Sequence, residues 1–262
     1  MPVARLDYRA AVSVTGEDAR SFLQGLLTQD VETLADGEVR YGALLGPQGR
    51  LLIELFLHGQ AHGVLIDCPA DQRDALIQRL TLYRLRAKAQ VSADDGPIFV
   101  AWGADAPSDW PIDPRLPGLG RRWIGEGQSN ASEPAWLEHQ LALGVPDARD
   151  MKPDADYPIE CDLDLLNGIA FHKGCFVGQE TTSRMKRRGA IRTRLVPVIF
   201  DGPVPAVGTE ILNGDLRAGE IRSGQDGRAM ALLRLDRIGG ALAAGGMEVR
   251  ADPPAWLGLD RP

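Results

Sequence analysis

The last quarter of this chain admits few folds. Between Leu195 and Arg250, short apolar runs (Leu195–Phe200, Thr209–Leu212, Ala218–Arg222, Ala229–Leu235, Met247–Arg250) alternate with turns built from Gly, Asn and Asp. Runs this short, interrupted this often, read as strands, and a succession of them suggests a small all-β, barrel-like module.

Upstream the texture is mixed. A helix is expected from about Glu17 to Leu27, with Thr15 as N-cap, Asp18 as its capping-box-like partner, and Ala19, Phe22, Leu23 and Leu26 on one apolar face. Val39–Leu45 reads as a strand, and Gly46-Pro47-Gln48-Gly49 as a turn. Leu51–His58 and Val64–Asp67, joined across Gly59–Gly63, read as an antiparallel pair. Pro69 opens a helix to about Arg86, with Leu76, Leu80, Tyr83 and Ala87 as its buried stripe. A strand at Ile98–Trp102, a loop over Ala104–Gly120, a helix at Glu133–Leu143 and a loop over Asp147–Pro158 complete an α+β body.

Composition narrows the function. Of 262 residues, 44% are hydrophobic and 25% charged, the balance of a chain able to bury a core. The formal net charge of −7 argues against a surface built for nucleic acid. No apolar run reaches the roughly 18 residues a transmembrane helix needs, so no membrane partner is expected. Early charges at Arg5, Asp7 and Arg9, with Glu17 and Asp18 following, fit neither a signal peptide nor a transit peptide, and the expected compartment is the cytoplasm. Three widely spaced cysteines, Cys68, Cys161 and Cys175, make neither a disulfide framework nor a CxxC metal site, so no resident metal is expected. His58 and His62 have metal-binding spacing for a helix but flank a turn, where that geometry fails.

Chemistry concentrates in one segment: Tyr157-Pro158-Ile159-Glu160, then Asn167 through Glu180, then Arg184 and Gly189. Within eight residues, Lys173 to Glu180, stand a lysine, a cysteine, two glycines and a Gln–Glu pair. Glycines let backbone approach a ligand. A helix from about Gln179 to Arg187 would place the preceding loop at a helix N-terminus, where anions are attracted and thiols acidified. Lys173 would push the same way, so a thiolate-prone Cys175 is expected. Cys68 and Cys161 read as packing.

The stretch K-G-C-F-V-G-Q-E (Lys173–Glu180) resembles the K-G-C-[FY]-x-G-Q-E signature of the YgfZ family, whose fold is similar to that of the glycine-cleavage T-protein. Phe22-Leu23-Gln24-Gly25, with Leu27–Val31, resembles that family's early F-L-Q-G-x-x-T-x-D-V segment. Gly46–Arg50 resembles its D-x-x-G-[KR] turn, and Pro254-Ala255-Trp256-Leu257 its closing P-x-W-L. The resemblance implies a multi-lobed ring of mixed and antiparallel sheets around a central tetrahydrofolate pocket. Its lobes would be 1–45 with 133–190, then 46–132, then a β-barrel at 191–262. It implies catalytic roles for Cys175 and Lys173, and folate contacts from Glu160, Gly174, Gln179, Glu180 and Arg184. It further implies support of iron–sulfur cluster assembly or repair, and through it of tRNA-modifying enzymes, with iron–sulfur client or assembly proteins as partners.

The T-protein's acidic pair is reduced here to Ile53-Glu54, which argues against glycine-cleavage aminomethyl transfer. The alternative is a folate-dependent one-carbon transferase, with Glu54 or Glu160 as general base. The basic run Arg184, Lys186, Arg187, Arg188, Arg192 and Arg194 reads as a solvated helix end, as an attractor for folate's glutamate tail or an acidic partner, or as a nucleic-acid contact.

Overall fold

The computed structural model describes residues 1–189, 191–225 and 227–259. Five strands form one antiparallel sheet in the order β3-β4-β5-β2-β6. They are β2 (Arg9–Thr15), β3 (Val39–Leu45), β4 (Leu51–Gln60), β5 (Gly63–Pro69) and β6 (Gln90–Asp94). A smaller antiparallel sheet, β1-β7-β8, comprises Val3–Arg5, Ile98–Ala101 and Arg121–Ile124.

The larger sheet is covered on both faces. One face, through Val12, Val14, Leu55, Leu57 and Ile66, packs on α1 (Ala19–Gln24) and α2 (Arg73–Arg84). The other, through Tyr41, Leu45 and Phe56, shares a core with Ile98 and Val100 of the small sheet, Trp136 of α3 (Glu133–Leu143), and the chain from Ile159 to Phe176. Burial on both faces explains why β4 reads as a nearly unbroken apolar run; its first nine residues are buried.

The C-terminal strands close into a six-stranded barrel, β10-β11-β12-β9-β14-β13. They are β9 (Thr193–Ile199), β10 (Glu210–Asn213), β11 (Leu216–Gln225), β12 (Arg228–Arg234), β13 (Leu242–Ala244) and β14 (Met247–Ala251). Val196, Val198, Ile211, Ile221, Ala231, Leu233 and Val249 fill its interior. The α+β body with mixed sheet orders and a small C-terminal barrel is thus the architecture present.

Contacts that fix the barrel to the body include a tryptophan hydrogen bond and a buried ion pair. Trp256 Nε1 donates to the Leu143 carbonyl at 3.0 Å, beside the α3 C-cap Gly144. Gly144 has φ +67, and a Cβ there would lie 2.9 Å from Pro254 Cγ, so the Pro-x-Trp segment requires a glycine at the helix end. Arg222 of β11 makes a two-pronged pair with Asp156 at 2.9 Å on each arm.

Several expectations change. Thr15 is not an N-cap: it ends β2, and α1 begins only at Ala19. The Asp18 carboxylate makes no cap bond and instead accepts the Lys88 N–H at 2.7 Å. Tyr83, placed on the buried stripe of α2, is 39% exposed. The small sheet's third strand, β8, directly follows the Ala104–Gly120 loop. The lobe boundary drawn after residue 45 falls in the turn of the β3–β4 hairpin, so one sheet runs across it. The last three residues of the C-terminal module lie outside the described residues.

Candidate functional site

The Lys173–Glu180 loop is bolted to the α1 region by side chains of both motifs. Lys173 Nζ donates to the carbonyls of Gln24, Leu27 and Gln29 at 2.6, 2.7 and 2.7 Å. These carbonyls lie at and just beyond the C-terminal end of α1, where helix acceptors lack intrahelical partners and cations are favoured. Thr28 Oγ1 donates to the Gly168 carbonyl at 2.7 Å and accepts the Ala43 N–H at 2.8 Å. Gln29 Nε2 reaches the carbonyls of Asn167 and Tyr41. The backbone of Ala170 donates to Thr28, and that of Val177 to Gly25. The two sequence motifs, far apart in the chain, are therefore one interlocked unit.

This changes the part assigned to Lys173. Its ammonium is spent on backbone carbonyls, so it holds the loop in place. Burial lowers its pKa to about 8. Cys175 stands exposed on the bolted loop, while Cys68 and Cys161 are buried as expected. Burial pushes the Cys68 thiol up to about 12, far from thiolate formation at neutral pH.

The glycine that matters is Gly178. It is the N-cap of α4 (Gln179–Arg188), with φ +81. A Cβ there would lie 2.9 Å from the Gly46 carbonyl oxygen and 3.0 Å from Gly49 Cα. Reciprocally, a Cβ on Gly49, at φ +79, would lie 2.8 Å from Thr181 Cβ. The β3–β4 turn and the start of α4 dock glycine against glycine. Gly174, expected to permit a close approach, has open space around its Cα and no positive φ.

The remaining candidates separate. Gln179 and Glu180 line an open cleft of about 690 Å³ with Phe171, His172, Ser183, Lys186 and Arg187. Lys173, Gly174, Cys175, Glu160 and Arg184 are outside that lining. Glu160 caps its own turn, Oε2 accepting the Tyr157 N–H at 3.1 Å; burial raises its pKa. Among the described residues no hydrogen bond or ion pair joins Glu160 to the loop. The basic run also divides. Arg194 is buried against Asp162 and Asp164 at 2.7 and 2.9 Å, and Lys186 pairs with Asp164. Arg184, Arg187, Arg188 and Arg192 are exposed.

Between the two sheets lies a buried charge cluster that sequence reasoning missed. Arg9 donates to Asp67 at 2.6 Å and to Glu54 at 2.5 Å. Arg122 donates to Asp67 at 2.6 Å, and Arg115 holds Asp113 at 2.9 Å. The Arg122 and Arg115 guanidinium carbons lie 3.8 and 4.9 Å from the Phe56 ring centroid. Burial pushes the Asp67 carboxyl up, but Arg9 and Arg122 outweigh it and hold it below the ordinary range. Burial raises Glu54, against the pull of Arg9 and Arg115. Burial carries neighbouring His58 down to about 4, so it is neutral at physiological pH. The sequence signal was a charge inside apolar strands: Arg9 before Ala-Ala-Val, Asp67 after Val-Leu-Ile. Glu54, cast as a general base, is thus 1% exposed and committed to Arg9.

Among the described residues no group of three or more His, Cys, Asp or Glu side chains could hold a metal ion.

Comparison with known proteins agrees with this anatomy. Residues 192–259 match the family described as the CAF17 C-terminal beta-barrel domain. The chain is similar in structure to the glycine cleavage system aminomethyltransferase T from Bartonella henselae, with a TM-score of 0.77 at 17% identity over 97% of this chain and 85% of that one, a likeness of fold. It is 33% identical to the human mitochondrial iron–sulfur cluster assembly factor IBA57, over 96% of this chain and 84% of that protein. It is 30% identical to the mouse IBA57, over 91% and 79%. The resemblance to YgfZ holds at the level of the T-protein-like fold and barrel, while the sequence relatives are mitochondrial IBA57 factors rather than cytoplasmic ones. With near-complete coverage, a matching barrel and an exposed cysteine on a clamped loop, this chain belongs to the IBA57 family of iron–sulfur cluster assembly factors.

Proposed function

We propose that this chain supports iron–sulfur cluster assembly by presenting Cys175 as one thiolate ligand to a cluster whose other ligands come from a partner protein. The observation that carries this is the contrast among its thiols: Cys175 is exposed on a loop fixed by Lys173, while Cys68 and Cys161 are buried. A cluster takes about four protein ligands in all, so one thiol cannot retain a cluster alone but can share one across an interface. The exposed Arg184, Arg187 and Arg188 of α4 suit an acidic partner, which would steer association by charge. The compartment follows the partner: the cytoplasm read from the early charges, or the mitochondrion of the named relatives. Effects on tRNA modification would follow through iron–sulfur client enzymes.

Tetrahydrofolate is the small molecule this reading allows. The space between the two sheets is taken by the Arg9–Asp67–Arg122 cluster, but the cleft along α4 has a fitting donor set. Phe171 offers a ring face, Glu180 a carboxylate for the guanidine-like pterin edge, and Lys186 with Arg187 cations for the glutamate tail. The one-carbon transferase alternative needs a base beside the bound folate; Glu54 is paired with Arg9, and Glu160 accepts the Tyr157 N–H outside the cleft lining.

The test is cluster reconstitution with an iron–sulfur partner, followed by visible absorbance and circular dichroism, beside calorimetry with tetrahydrofolate. Cys175→Ser should abolish the shared-cluster spectrum and leave folate binding and melting temperature unchanged. A cluster spectrum that persists in Cys175→Ser removes the proposal. Folate binding that ignores Lys186→Glu removes the cleft as its site.

A further inference from the structure

The tip that follows α2 breaks two ordinary rules at once. Leu85 is 86% exposed, and it holds φ +47 and ψ −105. The Ala87 N–H donates to the Arg84 carbonyl at 2.8 Å, closing a tight turn over Arg84–Ala87. The dihedrals of Leu85 are those of the first central position of a type II′ turn, which glycine normally fills because an L side chain there is strained. A branched apolar residue thus occupies a position where glycine would be more stable and more soluble. Strain of this kind on an exposed residue does nothing for folding and points to a use at the surface.

The surroundings state the chemistry. Leu82, in the last turn of α2, is 71% exposed and Tyr83 is 39% exposed. Arg79, Arg84, Arg86 and Lys88 lie within six residues of Leu82, and among the described residues neither Arg79 nor Arg86 has an ion-pair partner. Lys88 pairs with exposed Glu17, and Arg84 donates to the Ala89 carbonyl. The patch is therefore two exposed leucines and a tyrosine at a turn, with four cations close by in the chain, on a protein whose net charge is −7. The basic charge is local and coincides with the apolar tip.

From this juxtaposition we infer that the Leu82–Lys88 tip is a peripheral contact for an anionic lipid surface. Leu82 and Leu85 enter the acyl boundary, Tyr83 sits at headgroup level, and Arg79, Arg86 and Lys88 meet lipid phosphates. Both leucines are exposed, and an interface that deforms around exposed side chains accepts them without a preformed pocket. No membrane-spanning segment is involved: none of the described helices is long and apolar enough to cross a membrane, and the contact reaches only the boundary between headgroups and acyl chains. A few leucines and cations give weak, reversible binding, compatible with a protein that otherwise diffuses freely.

The test is flotation of the full chain with vesicles of phosphatidylglycerol mixed with phosphatidylcholine, against vesicles of phosphatidylcholine alone. Wild type should float with the anionic vesicles only, and added salt should weaken the binding. Leu85→Gly removes the apolar side chain and relieves the backbone. It should therefore melt no lower than wild type while its partitioning falls about tenfold. Arg86→Glu should lower partitioning and flatten the salt dependence. The lipid assignment fails if wild type ignores anionic vesicles, or if Leu85→Gly binds them equally well. It fails equally if a photo-crosslinker at position 85 reaches only an acidic protein while vesicles stay unbound.

Discussion

Arg9 joins two buried carboxylates in the interior. Its guanidinium, like the Glu54 and Asp67 carboxylates it joins, is essentially inaccessible to water. Taking these groups out of water is expensive, and only their mutual geometry offsets it. Arg9→Met should therefore destabilise the chain by about 3–5 kcal/mol in chemical denaturation, since the buried Glu54 carboxylate would lose its donor and Asp67 would keep Arg122 alone. If the loss were under about 1 kcal/mol, the cluster would be hydrated and the interior not dry. Glu54→Gln, which keeps the shape and one acceptor, should cost less. That split would separate charge pairing from packing on Phe56.

At the scale of elements, the decisive contact is the docking of the β3–β4 turn on the start of α4. Gly178→Ala forces a Cβ into the Gly46 carbonyl at a left-handed φ, and should cost on the order of 2 kcal/mol in thermal or chemical unfolding. Gly174→Ala, earlier on the same loop, meets nothing and should stay within about 0.5 kcal/mol of wild type. Equal losses would mean that the loop, and not the glycine docking, sets its stability. The clamp from Lys173 acts at the same scale. Lys173→Met leaves the Gln24, Leu27 and Gln29 carbonyls without their donor, and amide exchange across residues 167–177 should accelerate while the barrel stays protected. The elements that local pattern hides share a cause. β6 is a polar edge strand, Gln-Val-Ser-Ala-Asp, whose pairing with β2 supplies what its composition does not. β13 has three residues, too few to show a period. The expected α1 runs too long because Leu26 and Leu27 keep the apolar spacing after the helix has ended.

For the whole molecule, the junction between body and barrel carries a pH dependence. Asp150 accepts from Ser223 Oγ of β11 at 2.5 Å and lies beside Asp147, which Arg149 holds in its charged form. Burial, and then the Asp147 charge, raise Asp150 to about 7. Between the unfolded value of 3.8 and about 7 the folded state therefore binds more protons than the unfolded one. The stability this group contributes is fully present at the acid end of that window and is lost as pH rises through it. Melting temperature should accordingly rise as pH falls from about 7.5 to about 5.5, by an amount corresponding to a few kcal/mol at most, and Asp150→Asn should flatten the curve. A wild-type melting temperature that does not change over that range would show that Asp150 is ionised at the junction.

The sequence by itself determined the class of the fold and the C-terminal barrel, and it singled out Lys173–Glu180 as the segment to test for chemistry. Those properties are written in local patterns: short apolar runs between turn formers, and a cysteine among glycines and charges. It also separated Cys175 from Cys68 and Cys161, because a thiol's neighbours in the chain differ between a loop and a strand. What Lys173 does was left to the tertiary structure, since its partners lie far away in the chain and are backbone carbonyls that no side-chain pattern announces. The same holds for Arg9, Asp67 and Arg122, whose charges are tolerable only where three strands from two sheets bring them within hydrogen-bond reach. Local pattern fixes what each segment can become. Contact between distant segments decides which of its polar groups are spent on the fold and which, like the Cys175 thiol, remain available.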